Sequence, residues 1–248
     1  MKVALITGGQ PRFTPDFVTV LSQIQGIESA DIYMNLWNSN WATTEDEGRQ
    51  KVENILPPNY KLAKLKLVDQ PVYELPAHTT VLEPPYPENV QWCYKRRLGQ
   101  IQSLSMAFDL IDQDYDAIIR FRLDGSLDRP IDVSQFDLAN NDMIMPEPRV
   151  GRMDFPICDQ FFIGTYKGAK FFCDLAKEFN KYVLLSDPNW ENNPHGTWSL
   201  EHIIGTYYLN NDKCIAAGNF RTHINTSGRS QYTDKHYHHK ITVDPTNK

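Results

Sequence analysis

The spacing of apolar positions along this chain changes several times, and each change marks an element. Residues 3–6 are an unbroken apolar run that ends in Thr7-Gly8-Gly9, which predicts a buried strand closing on a glycine turn. Thr14, Pro15 and Asp16 then supply an N-cap, a first-turn proline and a first-turn acid. Phe17, Val20, Leu21 and Ile24 fall on one face of the helix that follows. The segment DIYMNLW at 31–37 reads as a second strand, and the strand-helix-strand order predicts a parallel sheet. A surface helix is expected over 44–56. A strand on a sheet margin is expected over 60–68, where Leu62, Leu65 and Leu67 stand among lysines. Residues 70–89 have no period and carry Pro71, Pro76, Pro84, Pro85 and Pro87, so they read as a long loop and a candidate lid.

The pattern resumes with a helix over 90–113, whose stripe runs Tyr94, Leu98, Ile101, Ser105 and Phe108. It leads into a strand over 116–124, DAIIRFRLD. Weaker strands are expected at 142–145 and 159–165, then a helix over 167–183. A second Asn- and Pro-rich loop spans 186–197. The next helix carries Leu200, Ile203, Ile204, Tyr207 and Tyr208 on one face, and a last strand is expected at 213–217. From Asn219 the chain is polar and aperiodic, with His236, His238 and His239 near its end. The elements add up to one α/β domain over 1–248, with a mixed, largely parallel central sheet flanked by helices.

Composition narrows the class. A hydrophobic fraction of 41% and a charged fraction of 23% are those of a folded domain. A net charge of -6 argues against a nucleic-acid-binding surface, which needs clustered Lys and Arg. No stretch approaches the roughly 18 apolar residues of a membrane span, and residues 1–6 lack a cleavable apolar leader, so the expected location is cytoplasmic. Cys93, Cys158, Cys173 and Cys214 form no C-x-x-C pair and read as buried thiols.

The 116–124 strand carries the most chemistry. Alternate residues of a strand share a face, so Ile118, Arg120, Arg122 and Asp124 point one way and Ala117, Ile119, Phe121 and Leu123 the other. One reading of that charged face is an internal salt-bridge network. The other is that the strand's C-terminal end opens into the crevice where open α/β sheets bind ligands, with Arg122 and Asp124 meeting a phosphate-bearing molecule there. In Lys95-Arg96-Arg97, helical geometry puts Arg97 within about 60° of the apolar stripe's centre, a position for a phosphate contact, an ion pair or a snorkelling side chain. Thr7-Gly8-Gly9-Gln10-Pro11-Arg12 is a glycine turn with a basic residue in reach. It is not a Walker A loop, which needs Gly-Lys-Ser/Thr. Glu201 stands in a helix's first turn, where an acid also stabilises the helix dipole.

Taken together, the strand-helix-strand opening, the long helix, the YDAIIRFRLD strand and the later DQFFIG segment at 159–164 resemble GT-A-type glycosyltransferases. The likeness is greatest to those that extend bacterial surface polysaccharides and to their viral-encoded relatives. It covers roughly residues 1–210 and implies a GT-A, Rossmann-like fold, with 1–115 as the donor-binding half and 116–248 as the acceptor half and C-terminal segment. It also implies transfer of a sugar from a nucleotide-diphosphate donor, a UDP-sugar first among them, to a saccharide hydroxyl. Thr7, Gly8, Gly9 and Arg12 match the loop that cradles the donor, with Arg97, Arg122 and Asp124 as further donor contacts. Asp159 matches a region whose acid faces the acceptor, and Asp159 or Glu201 is the candidate base. The family's Asp-x-Asp motif holds Mn2+ or Mg2+; here Arg122-Leu123-Asp124 keeps only the last acid, so a metal is expected to stimulate rather than to be essential. Some family members take a last metal ligand from a C-terminal histidine, which makes His238 a candidate beside Asp124. Trp37, Trp41, Trp92, Trp190 and Trp198 supply aromatic surface of the kind that stacks on sugars. The rival functions are a sugar nucleotidyltransferase and a carbohydrate-binding protein without turnover.

Overall fold

The apolar run that opens the chain is buried on both of its faces, and this sets the architecture. The computed structural model describes residues 1–12, 16–39, 41–73, 87–146, 158–185, 200–211, 213, 215–217 and 222–224. In it β1 (Lys2–Gly9) pairs in parallel with β3 (Ser29–Trp37) on one side and with β5 (Ala117–Arg120) on the other. Val3 and Leu5 join a core with Phe17, Val20 and Leu21 of α1 (Asp16–Gln23) and Val52 of α2 (Glu45–Glu53). Ala4 and Ile6 join a second core, built with α3 (Pro87–Phe108), α4 (Tyr166–Leu185) and α5 (Leu200–Leu209). A strand covered on both faces has no polar side to present, which is why residues 3–6 do not alternate.

With β4 (Tyr60–Val68), β8 (Met143–Met145), β9 (Phe162–Gly164) and β10 (Ala216–Ala217), the sheet order is β10-β8-β9-β5-β1-β3-β4. The β1–β3, β1–β5, β3–β4 and β8–β10 pairings are parallel, and β9 runs antiparallel to both β5 and β8. This is the expected α/β class with a mixed, mostly parallel sheet between helical layers. β4 lies at the sheet margin as expected. A register shift between Ile32 and Tyr33 skips Ala63, so Leu62 and Leu65 are both buried although three residues apart. From β1 the chain steps outward to β3 and β4 with α1 and α2 on one face. It then crosses by α3, on the other face, to β5 on the far side of β1. The sheet thus changes winding direction between β1 and β5, and their C-terminal ends flank the crevice that such a reversal leaves.

Several boundaries differ from the sequence reading. The strand expected over 116–124 ends at Arg120, because residues 121–124 turn away, with Gly125 N donating to Arg122 O at 3.0 Å. The alternation still holds to Leu123, since Phe121 and Leu123 stay in the α1-side core. The chain after Gly125 pairs again: β6 (Gly125–Leu127) runs antiparallel to β11 (Thr222–Ile224), so part of the polar C-terminal stretch is a strand. β2 (Ile24–Gln25) pairs with β7 (Ile131–Asp132). Asp159 lies in a bend before β9, not within a strand. In α3, which ends at Phe108 rather than near 113, Ser105 is only half-buried and Leu104 and Ala107 fill the interface instead. No described helix is long and apolar enough to cross a membrane. Residues 74–86 of the candidate lid and the 186–197 loop lie outside the described residues.

Candidate functional site

The C-terminal ends of β1 and β5 bring the charged residues together, and the glycine turn makes that possible. A Cβ on Gly8 would lie 2.4 Å from the Ser103 carbonyl oxygen, so only glycine lets α3 pack this close to β1. Gly9 has φ +101°, a left-handed conformation that turns the chain out of the sheet. Both glycines therefore have structural reasons to be there. Beyond them Arg12 is braced by Gln10, whose Oε1 accepts from Arg12 Nε at 3.0 Å and Nη2 at 2.6 Å. The bracing aims Arg12 Nη1 at Asp124 Oδ2, 3.5 Å away.

Asp124 is held on both oxygens by its neighbour. Arg122 Nε donates to Asp124 Oδ1 at 2.8 Å and Nη2 to Oδ2 at 3.0 Å, a two-pronged charge-assisted pair. Arg122 Nη1 also stands 3.7 Å from Asp159 Oδ2. Asp159 is fixed by α3, where Gln100 Nε2 donates to its Oδ2 at 2.8 Å and to its backbone carbonyl at 3.3 Å. The antiparallel β5–β9 pairing explains the meeting: Arg120 pairs with Phe162, so the residues just before β9 come level with those just after β5. The result is one cluster of Arg12, Arg122, Asp124, Asp159 and Gln100, drawn from both halves of the chain.

Arg120 lies deeper on the same face and is differently placed. It is only 3% exposed, and its Nε and Nη1 have no hydrogen-bond partner. Burial pulls its pKa down to about 10, with Asp159 opposing that shift and Arg122 adding to it. Arg122 shows the opposite balance. Burial alone would lower its pKa, but the bond to Asp124 and the fields of Asp159 and Asp124 leave it raised. Among the described residues three guanidiniums thus share this site with two carboxylates, and the innermost is unsatisfied. A buried cation in that state calls for an anion.

The other sequence candidates are distributed around this cluster. Thr7 is buried and, by strand alternation with Val3 and Leu5, faces the α1 side of the sheet, away from the arginines. Arg97 is half-buried on α3, with its Nε unpartnered. Glu201 is half-buried at the start of α5, a helix packed on α4, and is not among the hydrogen-bond partners of the cluster given above. His238 lies outside the described residues, as do Trp190, Trp198 and the Trp92 side chain. Among the described residues no group of three or more His, Cys, Asp or Glu converges, and both Asp124 oxygens accept from Arg122.

Sequence reasoning missed Gln100 and Asn35, and it missed what is particular about Arg120. Gln100 is one turn from Arg97 on the helix flank nearest Asp159, a signal that exists only once α3 is placed. Arg120 was visible on the charged face but not its isolation. Asn35 pairs in register with Gly8 and is 1% exposed with both amide atoms unpartnered, an unusual cost at the edge of the same crevice. A separate pocket of about 350 Å3, lined by Tyr166, Phe171, Tyr208 and Lys213 among others, is mostly apolar. It lies by Met143 and the N-terminal half of α4, away from the arginine cluster, so its size does not make it the reactive centre. No known protein family and no curated protein matches this chain.

Proposed function

We propose that this chain is a GT-A-type glycosyltransferase that moves a sugar from a nucleotide-diphosphate donor, a UDP-sugar, to a saccharide hydroxyl in polysaccharide synthesis. The observation that carries the reading is the arginine cluster at the winding reversal of the sheet, beside the Gly8-Gly9 turn. Guanidiniums match phosphate geometry, and a sugar nucleotide presents two phosphates next to the bond that breaks. In the proposed step the acceptor oxygen forms a bond to the anomeric carbon. The bond from that carbon to the β-phosphate oxygen breaks, and its electron pair leaves with the nucleoside diphosphate. For an inverting transfer the acceptor proton passes to Asp159, which Gln100 holds in a single orientation. Glu201 is the alternative base.

In this reading Arg122 and Arg12 neutralise the leaving diphosphate in place of the ion that a full Asp-x-Asp motif would bind. Mn2+ or Mg2+ then stimulates at most. The two-pronged Arg122–Asp124 bond favours a second reading, a structural ion-pair network on a fold without turnover. The two separate by experiment. UDP-, GDP-, dTDP- and CMP-sugars are each incubated with the protein in EDTA and in Mn2+, following donor hydrolysis and thermal stability. The transferase reading expects one donor to raise the melting temperature and to be hydrolysed in both conditions, with Arg122→Lys slower in both, since lysine lacks the planar fork. If no donor is hydrolysed or raises the melting temperature, the structural reading replaces it.

A further inference from the structure

The deepest charged group of the cluster is also the least satisfied, and its position relative to the others is informative. Arg120 is the last residue of β5 and Arg122 follows two residues later, where the chain turns away, with Arg120 nearer the core. Arg122 donates twice to Asp124 and stands 3.7 Å from Asp159. Arg120 senses the charge of Asp159, yet among the described residues no ion pair closes on it, and Nε and Nη1 are buried without a partner. Burying a cation and leaving its donors open destabilises a fold, and replacing such a group by an apolar side chain of similar length is expected to be neutral or stabilising. Groups held at such a cost cluster where a ligand supplies the missing partner.

We infer that Arg120 is an anion anchor, whose open donors receive a phosphoryl oxygen of a diphosphate-bearing ligand without a divalent ion. This rests on the donor reading above and adds to it the residue on which the donor's diphosphate would be anchored. Two features of the site agree with it. The guanidiniums outnumber the carboxylates among the described residues, so the site gains from a polyanion. Asp124, the residue in the position of a metal ligand, is committed to Arg122 on both oxygens.

The probes are inorganic pyrophosphate, inorganic phosphate, UDP, CMP and a sugar nucleotide, UDP-glucose, titrated calorimetrically in excess EDTA into the full chain and into Arg120→Met and Arg120→Lys. The wild type is expected to bind pyrophosphate and UDP more tightly than phosphate and CMP. Arg120→Met is expected to lose at least about tenfold of pyrophosphate affinity while its ligand-free melting temperature stays level or rises, and Arg120→Lys should fall between. Three results would overturn the inference: Arg120→Met binding pyrophosphate like the wild type, Arg120→Met failing to fold, or pyrophosphate binding that requires Mn2+. If the wild type binds pyrophosphate but no sugar nucleotide, the anchor stands and the donor reading fails. If it binds sugar nucleotides and Arg120→Met binds them equally, the anchor alone fails.

Discussion

The two edges of the central sheet are built from similar residues and satisfied very differently. At the N-terminal edge Asp31 Oδ2 accepts from Tyr115 Oη at 2.7 Å and from Gln113 Nε2 at 3.0 Å. Tyr33 donates to Asp112 at 3.2 Å, its hydroxyl lies 2.7 Å from that of Tyr115, and Lys64 pairs with Asp112 at 2.8 Å. The backbone nitrogen of Lys2 closes the set on Asp116 at 2.7 Å. At the C-terminal edge the same α3-facing side of β3 carries Asn35 and Trp37, whose amide and indole groups are buried and unpartnered, and β5 ends in the open donors of Arg120. One strand face thus runs from full satisfaction at Tyr33 to none at Asn35 within two residues. The N-terminal network fastens β1, β3 and the start of β5 to one another. The C-terminal edge gives up that security, which is the expected compromise where a site must receive something else.

The largest effect that would sharpen this contrast comes from breaking the two-pronged Arg122–Asp124 pair at the C-terminal edge. Asp124 is 4% exposed and holds Arg122, so Asp124→Ala leaves a half-buried guanidinium with its main partner gone. Removing one partner of a buried pair costs about 3–5 kcal/mol, and equilibrium urea unfolding of the variant should show a loss of that size. A loss below about 1 kcal/mol would mean that water already screens the pair, and the paired half of the comparison would collapse.

A smaller pair of effects should have opposite signs. Tyr115→Phe removes the hydroxyl that donates to Asp31 and is expected to lower stability by about 1–2 kcal/mol, since hydrogen bonds to charged groups exceed the neutral mean. Asn35→Leu replaces two unsatisfied amide atoms with a similar apolar volume and should be neutral or stabilising by up to about 1 kcal/mol. Thermal unfolding of both variants in one buffer decides it. If Asn35→Leu is the more damaging of the two, Asn35 has a structural partner and the edges do not differ in the way described.

How much of this was legible in the sequence depends on the range of the contact. The strand-helix-strand opening, the apolar face of α1 and the alternation from Ile118 to Leu123 depend on spacing within one element, and all are present in the structure. The grouping of Arg122 with Asp124 was legible for the same reason. What was not legible depends on register between distant segments. Asp159 meets Arg122 because Phe162 pairs with Arg120, and Gln100 meets Asp159 because Gly8 lets α3 settle on β1. Strands of two or three residues, such as β6 and β11, carry too few positions to show a period and exist only through their partners. The isolation of Arg120 was hidden too, because an unsatisfied group is defined by what fails to surround it.

The smallest effect tests the N-terminal edge by pH. Asp112 has its pKa lowered from 3.8, chiefly by the hydrogen bond from Lys64 and also by that from Tyr33, against a burial effect that would raise it. A carboxylate whose folded pKa lies below its unfolded value binds fewer protons in the native state, so stability rises with pH across the interval between the two values. Its contribution is therefore complete above about pH 3.8 and fades as the pH falls through the depressed folded value. Asp112 is solvent-facing, so the effect should be slight and should shrink further in high salt. Melting temperatures of the wild type and of Asp112→Asn are expected to run parallel from pH 8 down to about 5 and to converge below about 4, where the wild type loses what the variant never had. The Arg120 guanidinium, with its pKa lowered only to about 10, stays charged throughout that range and adds no slope. Curves that stay parallel below pH 4 would show that the Lys64–Asp112 contact contributes nothing measurable, and the N-terminal network would then rest on its tyrosines, Gln113 and the Lys2–Asp116 bond.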